Sequence, residues 1–117
     1  MISPDQTFSM TDEQFIESLN KLINDRITDA SFSSADVLKA LKVSQTLLYK
    51  KLDGLLGTDI DTYIMRIRVE LVQDKLINTD LDLDKIASQT GYTDVEQMNS
   101  SFKRVTGKTV WSIRETS

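Results

Sequence analysis

The sequence predicts an all-α fold in which two similar helical units flank one long linker helix. Three observations predict it. Apolar residues recur at three- and four-residue intervals through most of the chain, the signature of amphipathic helices. The stretch 60–77 is the longest such segment and carries two apolar stripes rather than one. The segments on either side of it repeat each other at an almost constant offset.

The composition agrees with short helices joined by tight turns. The 117 residues suffice for one domain or two small lobes sharing a spine. Hydrophobic residues make up 39% and aromatics only 7%, which suits a modest helical core. No run approaches the roughly 18 apolar residues a membrane span needs, and the opening MISPDQTFSM lacks the basic start and apolar run of a secretory signal. No membrane contact is expected of this segment, and a cytoplasmic setting is expected for it. The chain has no cysteine and no histidine. Thiol and imidazole catalysis and Cys/His zinc sites are therefore excluded. No enzymatic activity, cofactor, metal or small-molecule ligand is expected.

Residues 1–10, with Ser3, Pro4, Asp5 and Ser9 and no periodicity, are expected as a linker or cloning remnant. Residues 11–31 are expected as an acidic leading helix. TDEQ at 11–14 is a capping box, with Thr11 and Gln14 exchanging bonds, and Phe15, Leu19, Leu22, Ile23 and Ile27 follow at helical spacing. The first helix-turn-helix unit is expected at 32–59. A short helix carries Val37, Leu38 and Leu41 inward; Ser44 caps a second with Leu47, Leu48, Leu52 and Leu55 inward; Gly57 ends it in a left-handed cap.

The linker helix is expected at 60–78. At 100° per residue Ile60, Ile64, Ile67 and Leu71 form one stripe and Met65, Val69, Val72 and Leu76 a second, which suits a helix wedged between two cores; one wide buried face is the alternative. The second unit is expected at 79–117. Asp82 caps a helix with Leu83, Ile86 and Ala87 inward, Gly91-Tyr92 turns, Asp94 caps a helix with Val95, Met98 and Phe102 inward, Gly107 closes it, and TVWSIR adds a short last helix. Asp80, Asp82 and Asp84 do not make a calcium loop, because the sixth and twelfth positions from Asp80 hold Lys85 and Gly91 instead of glycine and glutamate.

The repeat pairs Ser44 with Asp94, Leu48 with Met98, Leu52 with Phe102 and Gly57 with Gly107. Each half is thus a short helix, a tight turn and a longer helix, the helix-turn-helix pattern, whose second helix enters a DNA major groove. A linker helix of about 18 residues spans roughly 27 Å, on the scale of the roughly 34 Å between successive grooves. The expected function is sequence-specific binding of double-stranded DNA in transcription control, with reading helices at about 44–56 and 94–105. The alternative is a helical protein-interaction module that kept the fold and weakened its DNA binding, which Asp53, Glu96 and the low pI favour.

The net charge is −4, and it lies wholly in residues 1–31; the rest of the chain is balanced. A neutral body gives little counterion release on phosphate. Strong binding is therefore expected to need dimerisation or several sites, through regulatory or dimerising domains outside this chain.

The face opposite Leu48 and Leu52 presents Gln45, Thr46, Tyr49 and Lys50, and the matching face of the second unit presents Glu96, Gln97 and Ser100. These are the candidate base contacts. Glutamine suits adenine, threonine a thymine methyl, lysine guanine, and glutamate a cytosine amino group, although near phosphates Glu96 repels as readily. Tyr49 could instead pack its ring on the lobe. The first unit is expected to do most of the reading, since the second has the poorer charge. Arg66, Lys103, Arg104 and Lys108 are candidate phosphate contacts, and the last three also complement a helix C-terminus. Arg68 is expected in a structural ion pair, and Trp111 as an anchor of the last helix.

VSQTLLYKKLDGLLG, YIMRIRVELVQDKL and LDKIASQTGYTDVEQMNSSFKRVTGKT together resemble the DNA-binding domain of the AraC/XylS family of bacterial transcription regulators, over about residues 32–114. The leading DEQFIESLNKLIND resembles the segment before this domain in hybrid two-component sensors, whose membrane anchoring would lie elsewhere. The resemblance implies a DNA-binding output domain. The chain departs from the family pattern at four places: Lys42 for a turn glycine, Asp53 for lysine, Met98 for an aromatic, and Val110 for the proline that opens the last helix.

Overall fold

The structure is a computed structural model that describes residues 11–116; the linker expected at 1–10 lies outside them. Among the described residues there are seven helices: α1 (Asp12–Asp25), α2 (Ser34–Leu41), α3 (Gln45–Leu56), α4 (Ile60–Asn78), α5 (Leu83–Gln89), α6 (Val95–Thr106) and α7 (Val110–Thr116). The chain divides into two compact units. Among the described residues, one takes 11–26 with Phe32–Tyr63; the other takes Ile27–Ser31 with 64–116.

In the first unit, local chemistry sets where each helix begins. The Thr11 hydroxyl accepts from the Gln14 amide at 3.1 Å and the Gln14 side chain accepts from the Thr11 amide at 3.0 Å, closing the capping box of α1. The Ser44 hydroxyl accepts from the Leu47 amide at 3.1 Å and starts α3. Asp59 does the same for α4, accepting from the Thr62 amide at 2.8 Å. That bond holds the Asp59 carboxyl below the ordinary aspartate range. The folded pKa is depressed, so the cap's contribution is full above the unfolded value and fades as pH falls through the lower folded one.

Phe15, Leu19 and Ile23 of α1, Phe32, Val37 of α2, and Leu48 and Leu52 of α3 are all buried. Each fully buried side chain of this size removes enough apolar area to favour folding by roughly 1.5–3 kcal/mol. α1 packs on α2. The Tyr63 hydroxyl donates to the Asn20 side chain, the Arg26 guanidinium lies 5.3 Å from the centre of the Phe32 ring, and Lys51 Nζ bonds Asp12 Oδ1 at 2.7 Å. By its packing, then, the leading helix is a member of the first unit.

Two apolar positions depart from the periodic reading. Ile27 falls after the end of α1 and is buried in the second unit. Leu55, in phase with Leu48 but in the last turn of α3, is 38% exposed. Periodicity gives the direction of a side chain and says nothing of whether the helix end has anything to pack against.

The second unit is built on the second stripe of α4. Val69, Val72 and Leu76 join Ile86, Ala87, Tyr92, Met98, Phe102 and Val110 in one buried cluster, with Met65 packed at its margin. In the first stripe Ile64 is buried, while Ile60, Ile67 and Leu71 are half-buried. The buried Thr90 hydroxyl donates to the Ile86 carbonyl at 2.7 Å, which satisfies a polar group that would otherwise be costly inside. Arg114 of α7 donates to the Leu76 and Leu81 carbonyls at 3.2 and 2.7 Å, so it closes the C-terminal end of α4.

Of the four departures from the family pattern, two show a physical consequence. Lys42 ends α2 in the left-handed region at φ 55° and ψ 45°. A side chain there is strained, so Lys42→Gly is expected to raise stability by up to about 1 kcal/mol, read as a higher urea midpoint with an unchanged slope. A lower midpoint would show that the lysine side chain contributes more than its backbone costs. Val110 keeps an amide hydrogen that proline would lack, and Asn99 Oδ1 accepts it at 2.9 Å. The side chain of α6 thereby satisfies the first helical position of α7.

Candidate nucleic-acid interface

In each unit the turn between the paired helices depends on one backbone position of positive φ: Lys42 at 55° in the first and Gly91 at 85° in the second. Each longer helix then starts at a side-chain cap, Ser44 for α3 and Asp94 for α6, and ends at a left-handed glycine, Gly57 or Gly107. The two buried anchors of each, Leu48 with Leu52 and Met98 with Phe102, fix which face points away from the core.

On α3 that outward face carries Gln45, Thr46, Tyr49 and Lys50, all exposed. Tyr49 is 62% exposed, so its ring is not folded onto the lobe. It lines a cleft of about 170 Å³ together with Leu38, Leu48, Leu52 and Ile60, among others. Asp53 is exposed as well. Lys51 has a different fate from its neighbour: it is tied to Asp12, a contact across 39 residues that helical spacing could not disclose.

On α6, Glu96, Gln97 and Ser100 are exposed. Asp94 accepts from the Gln97 amide at 2.7 Å, and Gln97 Oε1 accepts from the Thr93 amide and hydroxyl at 2.8 and 3.1 Å. Gln97 thus uses its acceptor inside the turn and has amide donors to offer. Asp94 and Glu96 lie where a helix N-terminus favours negative charge, which gives both acids a structural reason to be there. Lys103 and Arg104 are exposed in the last turn of α6, Lys108 just beyond it, and Arg66 on α4. Lys103 and Arg104 also favour that helix end electrostatically.

Arg68 differs from the pairing expected of it. It is half-buried, and its Nη2 donates to the backbone carbonyl of Asp29 at 2.9 Å. Burial lowers its pKa, and the nearby Tyr92 and Asp29 partly offset that. Burial also pushes the Tyr92 hydroxyl above its ordinary range, against the opposing influence of Ser101 and Arg68. Trp111 is exposed. No helix among the described residues is long and apolar enough to cross a membrane.

Two capped helix-turn-helix units, each with an exposed polar face on its second helix, define a nucleic-acid-binding class of protein. The family described as "Helix-turn-helix domain" matches residues 37–116. The chain belongs to this family, in its AraC type, and is a sequence-specific DNA-binding domain. The Msm operon regulatory protein of Streptococcus mutans is 26% identical over 101 residues, which are 86% of this chain and 36% of that protein. The chain therefore spans about a third of that relative. The C-terminal domain of AraT, a response regulator of Geobacillus stearothermophilus, superposes with a TM-score of 0.80 at 22% identity, over 87% of this chain and 84% of that one. The DNA-binding domain of the global transcriptional factor AdpA, solved with a target DNA, superposes with a TM-score of 0.77 at 16% identity, over 86% of this chain and 89% of that one. Both show a shared fold.

Proposed function

We propose that the domain reads DNA by placing α3 and α6 in successive major grooves, with Gln45, Thr46, Tyr49, Lys50, Glu96, Gln97 and Ser100 toward base edges and Arg66, Lys103, Arg104 and Lys108 toward phosphates. One observation carries this reading: both units present the second helix the same way, buried anchors inward and exposed polar residues outward. The 19 residues of α4 give a helix of roughly 28 Å, a length compatible with groove spacing. The first unit does more of the reading, because α3 offers a lysine and an exposed tyrosine where α6 offers a glutamate. The parent protein is a two-component regulator, of the hybrid-sensor kind, and this domain is its cytoplasmic output. Dimerising domains outside the chain supply the affinity that a charge-balanced body lacks.

The neighbouring lysines provide the test. Lys50→Ala is expected to weaken binding to a selected duplex about tenfold, the size of a lost base contact, in gel-shift titrations. Lys51→Ala is expected to change it far less, because that side chain is held by Asp12. Equal effects, or none from Lys50, would contradict the assignment of the reading face. Exposed Asp53 and Glu96 favour the second reading, a protein-interaction module, which predicts no enrichment of any DNA sequence even at low salt.

A further inference from the structure

The five residues Ile27–Ser31 pack with the second unit, although the chain on both sides of them packs with the first. Ile27 is buried. The Asp29 carboxylate accepts from the Ser31 amide and hydroxyl at 2.9 and 2.6 Å, which fixes the turn. The Asp29 carbonyl receives the Arg68 guanidinium. Arg68 Nε is buried with no hydrogen-bond partner. Beside it lies Gly91, where a Cβ would come within 2.7 Å of that Nε and 2.2 Å of the Ile27 carbonyl. Gly91 is the turn that leads into the Asp94 cap of α6.

We infer that Arg68 is a positioning residue for the second reading helix, clamping residues 27–31 against the Gly91 turn so that the segment after α1 governs what α6 reads. The geometry leaves the turn no slack. The face of Gly91 where a Cβ would stand meets both a backbone carbonyl and a guanidinium whose own place is set by a second carbonyl. A turn closely backed by these two groups fixes the direction in which α6 leaves it. The consequence is not local in sequence: a change at residue 27, ahead of the first unit's paired helices, acts on the second unit's reading. A guanidinium committed to this clamp is not a phosphate contact.

The inference rests on the two-helix reading of DNA, and the experiment separates the two. A duplex selected by the full chain is altered one base at a time in each half, and Gln45→Ala marks the half that α3 reads. For Arg68→Met and for Ile27→Ala, discrimination in the other half is expected to fall about tenfold, as for a lost base contact. Discrimination in the α3 half and the salt dependence are expected to hold. Arg68→Lys should recover part of the loss. If the unaltered chain discriminates in one half only, the two-helix reading fails. If it discriminates in both, three results overturn the clamp: equal losses in both halves, no loss in either, or a salt slope reduced by about 0.9, the signature of one phosphate contact. Ile27→Ala keeps the guanidinium and decides the matter should Arg68→Met not fold.

Discussion

Gly91→Ala is expected to destabilise the protein by about 2–5 kcal/mol, the sum of a left-handed side chain at about 1–2 kcal/mol and a forced overpacking at about 1–3 kcal/mol. The added Cβ meets a backbone carbonyl, which cannot swing away as the end of a long side chain could. Gly57 and Gly107 give the control. Both have positive φ, yet nothing lies within 4 Å of a Cβ placed there. Alanine at either should cost only the backbone term, about 1–2 kcal/mol. Urea unfolding of the three variants reads the difference directly. Three equal losses would mean that residues 27–31 do not press on the turn, and the clamp would lose its basis.

The second large effect is expected from Phe102→Ala, at about 3–5 kcal/mol. Phe102 is among the largest fully buried side chains and belongs to the cluster formed with Val69, Val72, Leu76, Ile86 and Met98. A loss of that size is a large part of the 5–15 kcal/mol typical of a whole domain. Because Phe102 also anchors the inward face of α6, folding and reading should fail together in the second unit. Amide chemical shifts are the measurement: changes spread through α5, α6 and α7 are expected, with α1, α2 and α3 nearly unmoved. Uniform collapse of all shifts would show instead that the two units fold as one cooperative body. Leu52→Ala, its counterpart in the first unit, should reverse the pattern at about 2–5 kcal/mol.

The helices were legible because their determinants are local. Thr11, Ser44, Asp82 and Asp94 are caps that bond to an amide three residues ahead, and Gly57 and Gly107 end helices in the left-handed region. Leu48, Leu52, Met98 and Phe102 repeat at the helical period and are buried, so the outward faces of α3 and α6 followed from them. What the sequence withheld is long-range or depends on depth. Lys51 and Asp12 are 39 residues apart, as are Arg68 and Asp29. Asn99 and Val110 meet only because α7 folds back against α6. Nothing in a run of residues marks such partners in advance. Leu55 and Ile27 failed for a related reason, since a correct phase is no guide to where a helix stops or which unit buries its neighbour.

Val110 and Asn99 also show how a departure from a family pattern can be absorbed. A proline at the first helical position needs no acceptor. Valine does, and a side chain from the reading helix supplies it. The glutamine of the same helix is partly drawn inward too, through Thr93. α6 therefore gives more of its polar chemistry to its own fold than α3 does, which supports giving the first unit the larger share of base reading.

Selection of binding sites from a randomised duplex pool, by the chain itself at low salt, tests the central claim most directly. The account predicts an enriched site with two separate runs of fixed bases, their centres about 10 base pairs apart as successive grooves require, the run assigned to α3 the more stringent. Enrichment of a single run, or of no sequence at all, would contradict it.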